Sequence, residues 1–251
     1  MPHAVVTGAA SGMGRLMVER LLERGWTVSA VDLDTPALHE LAGTAGVSAY
    51  PCDVSDPQLV RAAAAAVLAA HPRIDRLVTA AGIAVIGRLD DLDPERVARP
   101  MQVNYLGTVA WVHALLPALR ESGGELVLFA SLAGWIVTPG YGAYTASKFA
   151  LVGYAETLAL ELRGSGITVR AVCPPAVRTP MIDGVIRDGQ SAAAVERSRP
   201  LSPGQVIDAI EKSLRRRRAK IWVFPGPAGI VWRVRRLAPG LVNAATTRLG
   251  G

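Results

Sequence analysis

The sequence predicts a doubly wound α/β fold, one parallel sheet of about seven strands with helices on both faces, on the strength of three observations. Short apolar runs alternate with longer segments of helical period along the chain. A glycine-rich turn, Thr7-Gly8-Ala9-Ala10-Ser11-Gly12-Met13-Gly14, separates the first apolar run from the first helical segment. Gly8, Asp32, Asp53, Gly82, Ser131 and Pro174 each follow an expected strand, and in an open parallel sheet such positions gather at one edge.

Taken in order, Ala4-Val5-Val6 forms the first strand, over 4–7. Residues 15–25 carry apolar side chains at helical spacing and end in glycine, a helix with its stop signal. Thr27-Val28-Ser29-Ala30-Val31 is rich in β-branched residues and makes a second strand, over 27–32, ending in Asp32. Further strands are expected over 47–50, 75–80, 124–130, 167–173 and 220–224, with helices between them that include 55–70, 100–120 and 144–163. The chain has 251 residues, half of them hydrophobic, and no polar or low-complexity stretch divides it, so a single domain over 1–251 is expected.

A strand, a tight glycine turn and a helix start bring backbone N–H groups and the positive end of the helix dipole against a pyrophosphate. Gly8, Ser11, Gly12, Met13 and Gly14 are therefore candidate dinucleotide contacts. Asp32 lies about twenty residues past the glycines, where an acid can accept from a ribose 2'-hydroxyl. Its charge would repel a 2'-phosphate, which favours NAD over NADP. Farther along, Tyr144 and Lys148 are four residues apart and share one face of the expected helix over 144–163. A free tyrosine titrates near pH ~10, too high for proton transfer at neutral pH, and a neighbouring ammonium is expected to lower it. Ser131 lies thirteen residues upstream of Tyr144.

Together Thr7-Gly8-x-x-x-Gly12-x-Gly14 and Tyr144-x-x-x-Lys148 resemble the short-chain dehydrogenase/reductase family, whose fold is Rossmann-like. The landmarks Asp53-Val54, Asn104, Ser131-x-x-Gly134 and Pro174-Pro175-x-Val177-x-Thr179 fall in the family's order, so the resemblance covers roughly residues 4 to 181. It implies hydride transfer between a nicotinamide cofactor and a secondary alcohol or ketone. Tyr144 would exchange the substrate proton, Ser131 would hold the substrate oxygen, and Lys148 would hold the nicotinamide ribose and lower the Tyr144 pKa. Asn104 would hold a water in a proton relay. The resemblance also places Asp53 and Val54 at the adenine, Ala81 and Gly82 along the cofactor, and Pro174, Val177 and Thr179 near the carboxamide. It implies a homodimer or homotetramer in which helices 100–120 and 144–163 pair across subunits.

Other readings of the same residues stay open in the sequence. Asn104 can cap the helix over 106–119, Asp53 the helix beginning after Ser55, and Asp32 can belong to a solvated turn, Asp32-Leu33-Asp34. The chain also departs from the family pattern. Thr79-Ala80-Ala81-Gly82 stands where Asn-Asn-Ala-Gly is common, so a hydrogen bond tying the sheet is replaced by Thr79 or lost. Pro175 replaces a glycine and removes a backbone donor near the carboxamide, and Ala130 replaces a serine beside Ser131. A NADPH-dependent ketoreductase of a biosynthetic intermediate and a non-catalytic dinucleotide sensor are the competing functions. The acid at Asp32 disfavours the first, and the intact Ser131, Tyr144 and Lys148 disfavour the second.

Trp135-Ile136-Val137 and Ala84-Val85-Ile86 follow the candidate site residues closely, so apolar crevice walls and an apolar alcohol or ketone are expected. Residues 181–200 lack a clean period and occupy the place of a substrate lid. The N-terminus enters a strand too soon for a secretory signal, and Cys52 and Cys173 have neither disulfide-framework nor metal-ligand spacing, so a cytoplasmic protein is expected. His3, His39, His71 and His113 are scattered without ligand spacing, and no metal is expected.

The net charge of +6 is unevenly distributed. Residues 212–251 hold ten Lys or Arg and no acid, leaving about −4 for the rest of the chain. This basic, partly apolar extension reads two ways. It can rest peripherally on an anionic membrane, with Trp222 and Trp232 at the headgroup boundary, or form a last strand and a helix packed on the domain with solvated arginines. The second reading is preferred. Nucleic acid is not an expected partner, because no recognised binding module accompanies the charge.

Overall fold

The computed structural model describes residues 1–187, 199–216 and 221–250. Most of the expected lid, 188–198, and part of the arginine run, 217–220, lie outside the described residues.

Seven parallel strands form one sheet: β1 (His3–Thr7), β2 (Thr27–Asp32), β3 (Val47–Pro51), β4 (Arg76–Thr79), β5 (Glu125–Phe129), β6 (Thr168–Val172) and β7 (Trp222–Val223), in the order β3-β2-β1-β4-β5-β6-β7. Both faces of the sheet are buried, and the side chains of each strand divide between them. In β1, Ala4 and Val6 enter one apolar layer and Val5 the other. The first layer is closed by α1 (Gly12–Leu22), α2 (Pro36–Ala42) and α8 (Pro203–Leu214), through Met17, Leu21, Leu38, Ile207 and Ile210. The second is closed by α3 (Pro57–Ala70), α5 (Gly107–Ser122) and α6 (Gly142–Glu161), through Val60, Val67, Trp111, Leu115 and Leu158. A short α4 (Pro94–Pro100) precedes α5, and α7 (Pro180–Arg187) follows β6.

Two expected helices differ in detail. The one placed over 55–70 starts later, at Pro57, because the Asp56 carboxylate accepts from the backbone N–H groups of Gln58 and Leu59 and Pro57 fits the first helical position. The one placed over 100–120 is three segments: α4, a stretch of π-helix over Met101–Leu106, and α5. Pro100 lacks an N–H at the junction, and the wider turn that follows carries Asn104.

At the edge of the sheet away from the crevice, Arg76 bridges Glu125 at 2.6 Å and Glu211 at 2.6 Å, joining β4, β5 and α8. Arg24 also pairs with Glu211, and the Arg76 guanidinium lies 4.8 Å from the centre of the Trp26 ring. Arg76 and Glu211 are largely removed from water, so each depends on its partners for its solvation.

The chain closes with β7, α9 (Ala228–Leu237) and α10 (Pro239–Gly250). Trp222 and Trp232 do not face outward as a headgroup belt would require. They turn inward and meet Trp135 edge-on, with ring centres 4.9 and 5.9 Å away, and Phe224 stacks on Trp232 at 5.2 Å. Among the described residues, no helix is long and apolar enough to cross a membrane.

His3 opens β1 in a polar pocket: its ring stacks on His71 at 3.7 Å and hydrogen-bonds to Thr27 Oγ1 (2.7 Å) and Ser29 Oγ (2.9 Å). Burial, then the neighbouring His71, pushes its pKa down to about 4. Above pH 6.5 both folded and unfolded His3 are neutral and the fold has its full stability. As pH falls from 6.5 toward 4, the unfolded chain takes up a proton that the folded chain refuses, so stability declines. The decline attributable to His3 is about 2–3 kcal/mol by pH 4.5. Urea unfolding of the wild type and His3→Asn at pH 7 and pH 4.5 measures it, and a smaller drop is expected in the variant. Equal drops would remove His3 from this role.

Candidate active site

The chain reverses direction across the sheet between β1 and β4, and a crevice opens at their carboxyl ends. Gly8 has φ +68, and a Cβ there would lie 2.6 Å from the Ala81 nitrogen. A Cβ on Gly14 would lie 1.9 Å from the Gly8 carbonyl oxygen. The turn thus folds onto itself and onto the loop after β4, at distances only glycine permits. Thr7 fastens the contact, its carbonyl accepting from Ala80 N–H (3.1 Å) and its Oγ1 from Ala81 N–H (3.2 Å). Ser11 caps α1 with its backbone alone, with no side-chain bond to the first turn, so those donors remain for a ligand.

Asp32 is held against this turn, with Oδ2 accepting from Ala10 N–H and Oδ1 from Leu33 N–H, both at 2.8 Å. A cleft of about 200 Å³ collects Gly8, Ser11, Gly12, Met13 and Gly14 of the turn with Asp32, Asp53, Val54, Ala81, Gly82 and Thr179. Pro174 and Val177 are outside its lining. A helix start with unspent donors, a turn that leaves no room for side chains and an acid at the end of β2 fit a dinucleotide.

Arg99, at the end of α4, also lines the cleft. It donates to Asp53 Oδ2 at 3.2 Å and to Ser55 Oγ at 2.7 Å. Asp53 Oδ1 accepts from Ser55 N–H (2.9 Å) and Oγ (2.6 Å), so Asp53 closes a short turn while Asp56 caps α3. Burial alone would raise the Asp53 pKa, but the Ser55 hydrogen bonds and Arg99 outweigh it and hold the carboxyl below its usual value. No motif marks Arg99 in the sequence. Its only signal is a position five residues before Asn104.

Ser131 follows β5 and caps a single 3₁₀ turn, Leu132–Gly134, by accepting from Ala133 N–H at 3.1 Å. Leu132 N–H is anchored on the Pro174 carbonyl at 2.9 Å, and a Cβ on Gly134 would lie 2.7 Å from the Lys148 carbonyl oxygen. The turn therefore lies directly on α6 and brings Ser131 beside Tyr144. Lys148 is buried beside them, and its Nζ donates to the Phe129 carbonyl at 2.7 Å.

Asn104 is not a helix cap. From the π-helix its Oδ1 accepts from Ile83 N–H (2.8 Å) and its Nδ2 donates to the Ile83 carbonyl (3.0 Å) and Ser147 Oγ (2.9 Å). This braces the loop after β4 against α6. Thr79, by contrast, does not replace the expected sheet-tying bond. Its buried Oγ1 has no partner among the described residues, an omission that costs about 1–3 kcal/mol.

The electrostatics differ from the expectation for Tyr144. Its pKa is raised, not lowered: burial raises it, the Ser131 hydrogen bond opposes that, and Tyr141 adds to the rise. Burial also pushes Lys148 down to about 8. The Lys148 ammonium lies 5.7 Å from the centre of the Tyr144 ring and is committed to a carbonyl, so the phenol is desolvated more than it is stabilised as an anion.

Trp135, expected on the crevice wall, instead belongs to the aromatic cluster with β7 and α9. A second cavity of about 700 Å³ lies beside α6, walled in part by Leu89, Val137, Thr145, Phe149 and Thr246. Its lining does not include Ser131 or Tyr144. Among the described residues, no group of His, Cys, Asp and Glu could hold a metal.

The brace makes a measurable difference. Asn104→Leu leaves both Ile83 backbone groups without partners and is expected to cost about 2–4 kcal/mol in urea unfolding. A cost near zero would mean that the loop after β4 is held by other contacts.

The model of the short chain dehydrogenase family matches residues 2–189. The chain is 36% identical to 2-(R)-hydroxypropyl-CoM dehydrogenase of Xanthobacter autotrophicus, over 82% of this chain and 88% of that protein. It superposes on a short chain dehydrogenase/reductase of Burkholderia phymatum in complex with NAD with a TM-score of 0.83, at 28% identity, over 96% of this chain and 94% of that one. A short chain dehydrogenase of Burkholderia cenocepacia in complex with NADP matches with the same TM-score at 25% identity, over 98% and 97%.

Proposed function

Because this chain belongs to the short-chain dehydrogenase family, we propose that it is an NAD-dependent oxidoreductase interconverting an apolar secondary alcohol and its ketone. The observation that carries the reading is the convergence of Ser131, Tyr144 and the buried Lys148 at the same sheet edge as the glycine turn. NAD, when bound, supplies the hydride acceptor. The backbone of Gly8, Ser11, Gly12, Met13 and Gly14 binds the pyrophosphate, and Asp32 accepts from the adenosine ribose. Asp53 and Val54 bound the adenine, with Arg99 steadying the carboxylate. Ala81 and Gly82 form the floor, while Pro174, Val177 and Thr179 lie toward the carboxamide. Solved relatives carry NAD in one case and NADP in another, and the charge of Asp32 favours NAD here.

At the reacting end, Ser131 holds the substrate oxygen and Tyr144 moves its proton. A desolvated phenol stays protonated at neutral pH, the form that gives a proton to a ketone oxygen. For the alcohol direction the phenol must first release its proton, a step favoured by the nearby Lys148 ammonium and by alkaline solution. Lys148 holds the nicotinamide ribose, and Asn104 keeps the loop after β4 in register with α6 and carries the water of the proton relay. One domain does this work, with 181–200 as its substrate lid. The chain assembles as a homodimer or homotetramer through α5 and α6, and its basic C-terminal segment makes peripheral contact with a membrane.

Tyr144→Phe keeps the ring and removes the hydroxyl. Turnover of secondary alcohols is expected to fall about 10²–10⁴-fold, with NADH affinity changed by less than about two-fold. Steady-state kinetics and fluorescence titration check the two halves, and retained turnover would take Tyr144 out of the proton transfer.

A further inference from the structure

Helix α9 buries one face against the protein and presents an apolar face to the outside. Ala228 is fully buried, and Trp232 packs on Trp135 and Phe224. On the opposite side Ile230, Val234 and Leu237 recur at i, i+4 and i+7, within about 60° of one another around the helix axis. They are 64%, 40% and 86% exposed, and Leu241 at the start of α10 is 69% exposed. A helix that only packs on its own domain has its apolar residues on the buried side, and here a second apolar stripe faces away.

Charge selects what covers the stripe. Arg233 borders it on one side, and Arg236 follows farther round that side, with its guanidinium 5.8 Å from the centre of the Trp232 ring. Residues 221–251 hold four arginines and no acid. An apolar stripe bordered by cations and free of acidic residues is complementary to lipid headgroups of negative charge over an acyl layer. The geometry points to α9 lying in the surface of an anionic bilayer, with Ile230, Val234 and Leu237 below the headgroups.

This placement bears on the site. α9 follows β7 as the Ser131 turn follows β5, and the strands are parallel, so both leave the same edge of the sheet. Trp135, four residues after Ser131, packs directly on Trp222 and Trp232. A bilayer under α9 therefore lies at the crevice end of the molecule, where an apolar alcohol or ketone dissolved in lipid can enter. The lipid contact stands on α9 alone, while the nature of the substrate rests on the function proposed above.

The test is co-sedimentation of the full chain with phosphatidylglycerol and phosphatidylcholine vesicles, alongside Ile230→Gln combined with Leu237→Gln. Wild type is expected to bind the anionic vesicles, to release with added salt, and to prefer them to the neutral ones. The double variant is expected to bind at least about ten-fold more weakly. Failure of wild type to bind phosphatidylglycerol vesicles, or undiminished binding by the variant, overturns the assignment. So does an oligomer, seen by size-exclusion chromatography, that the double substitution dissociates while vesicles remain unbound, because the stripe is then an interface between copies. Turnover of a water-soluble secondary alcohol by both proteins separates the two readings: it is expected to be equal, and its absence from both would count against the proposed reaction and not against the lipid contact.

Discussion

The crevice exists because two stretches of backbone meet where no side chain fits between them. Gly8 rests on Ala80 and Ala81, and Gly14 folds against Gly8, at separations that a single methyl group would close. That contact sets the distance between β1 and the loop after β4, leaves the start of α1 open toward the cleft, and brings Asp32 within reach of Ala10. In a parallel sheet the strand ends at a reversal of order are the one place where loops diverge, so a ligand site there costs the core nothing. The apolar layers on the two faces of the sheet are continuous beneath it.

The reacting end is built on a second close approach. Gly134 lets the Ser131 turn lie against α6, Pro174 holds the turn from the far side through Leu132, and Asn104 ties the loop after β4 to Ser147 on the same helix. Three strand ends thus converge on one turn of α6, the turn that carries Tyr144 and Lys148. The arrangement takes both groups out of water, which raises the phenol and lowers the ammonium toward about 8. Their pKa values, nearly equal in the free side chains, are driven apart, with Tyr144 kept as an acid and Lys148 brought down to about 8.

Much of this was legible in the sequence. All seven strands fall where apolar runs and turn residues place them, because strands buried on both faces must be continuous apolar segments. The glycine turn, Asp32, Asp53 and Ser131 were readable because backbone chemistry at a strand end restricts which residue fits. What the sequence did not disclose depends on distances between segments far apart in the chain. Arg99 looks like any surface arginine until Asp53 lies beside it, and the π-helix at 101–106 has no signature beyond Pro100. The pair Tyr144–Lys148 was rightly placed on one helix face, but helix spacing does not report that the ammonium is spent on the Phe129 carbonyl. The sequence left Trp222 and Trp232 between a headgroup belt and packing on the domain, and favoured the packing. Their mutual packing with Trp135 leaves the outer face of α9 to Ile230, Val234 and Leu237, because the largest rings gain most from burial.

The central claim, that the cleft between the glycine turn and Asp32 takes NAD, is tested most directly by fluorescence titration of the wild type and Asp32→Ala with NADH and NADPH. The account predicts that wild type binds NADH at least about ten-fold more tightly than NADPH, a difference of about 1.4 kcal/mol, and that the gap narrows in the variant as repulsion of the 2'-phosphate is lifted. Equal affinity for the two cofactors in wild type, or a ratio unchanged by removing the carboxylate, would contradict it.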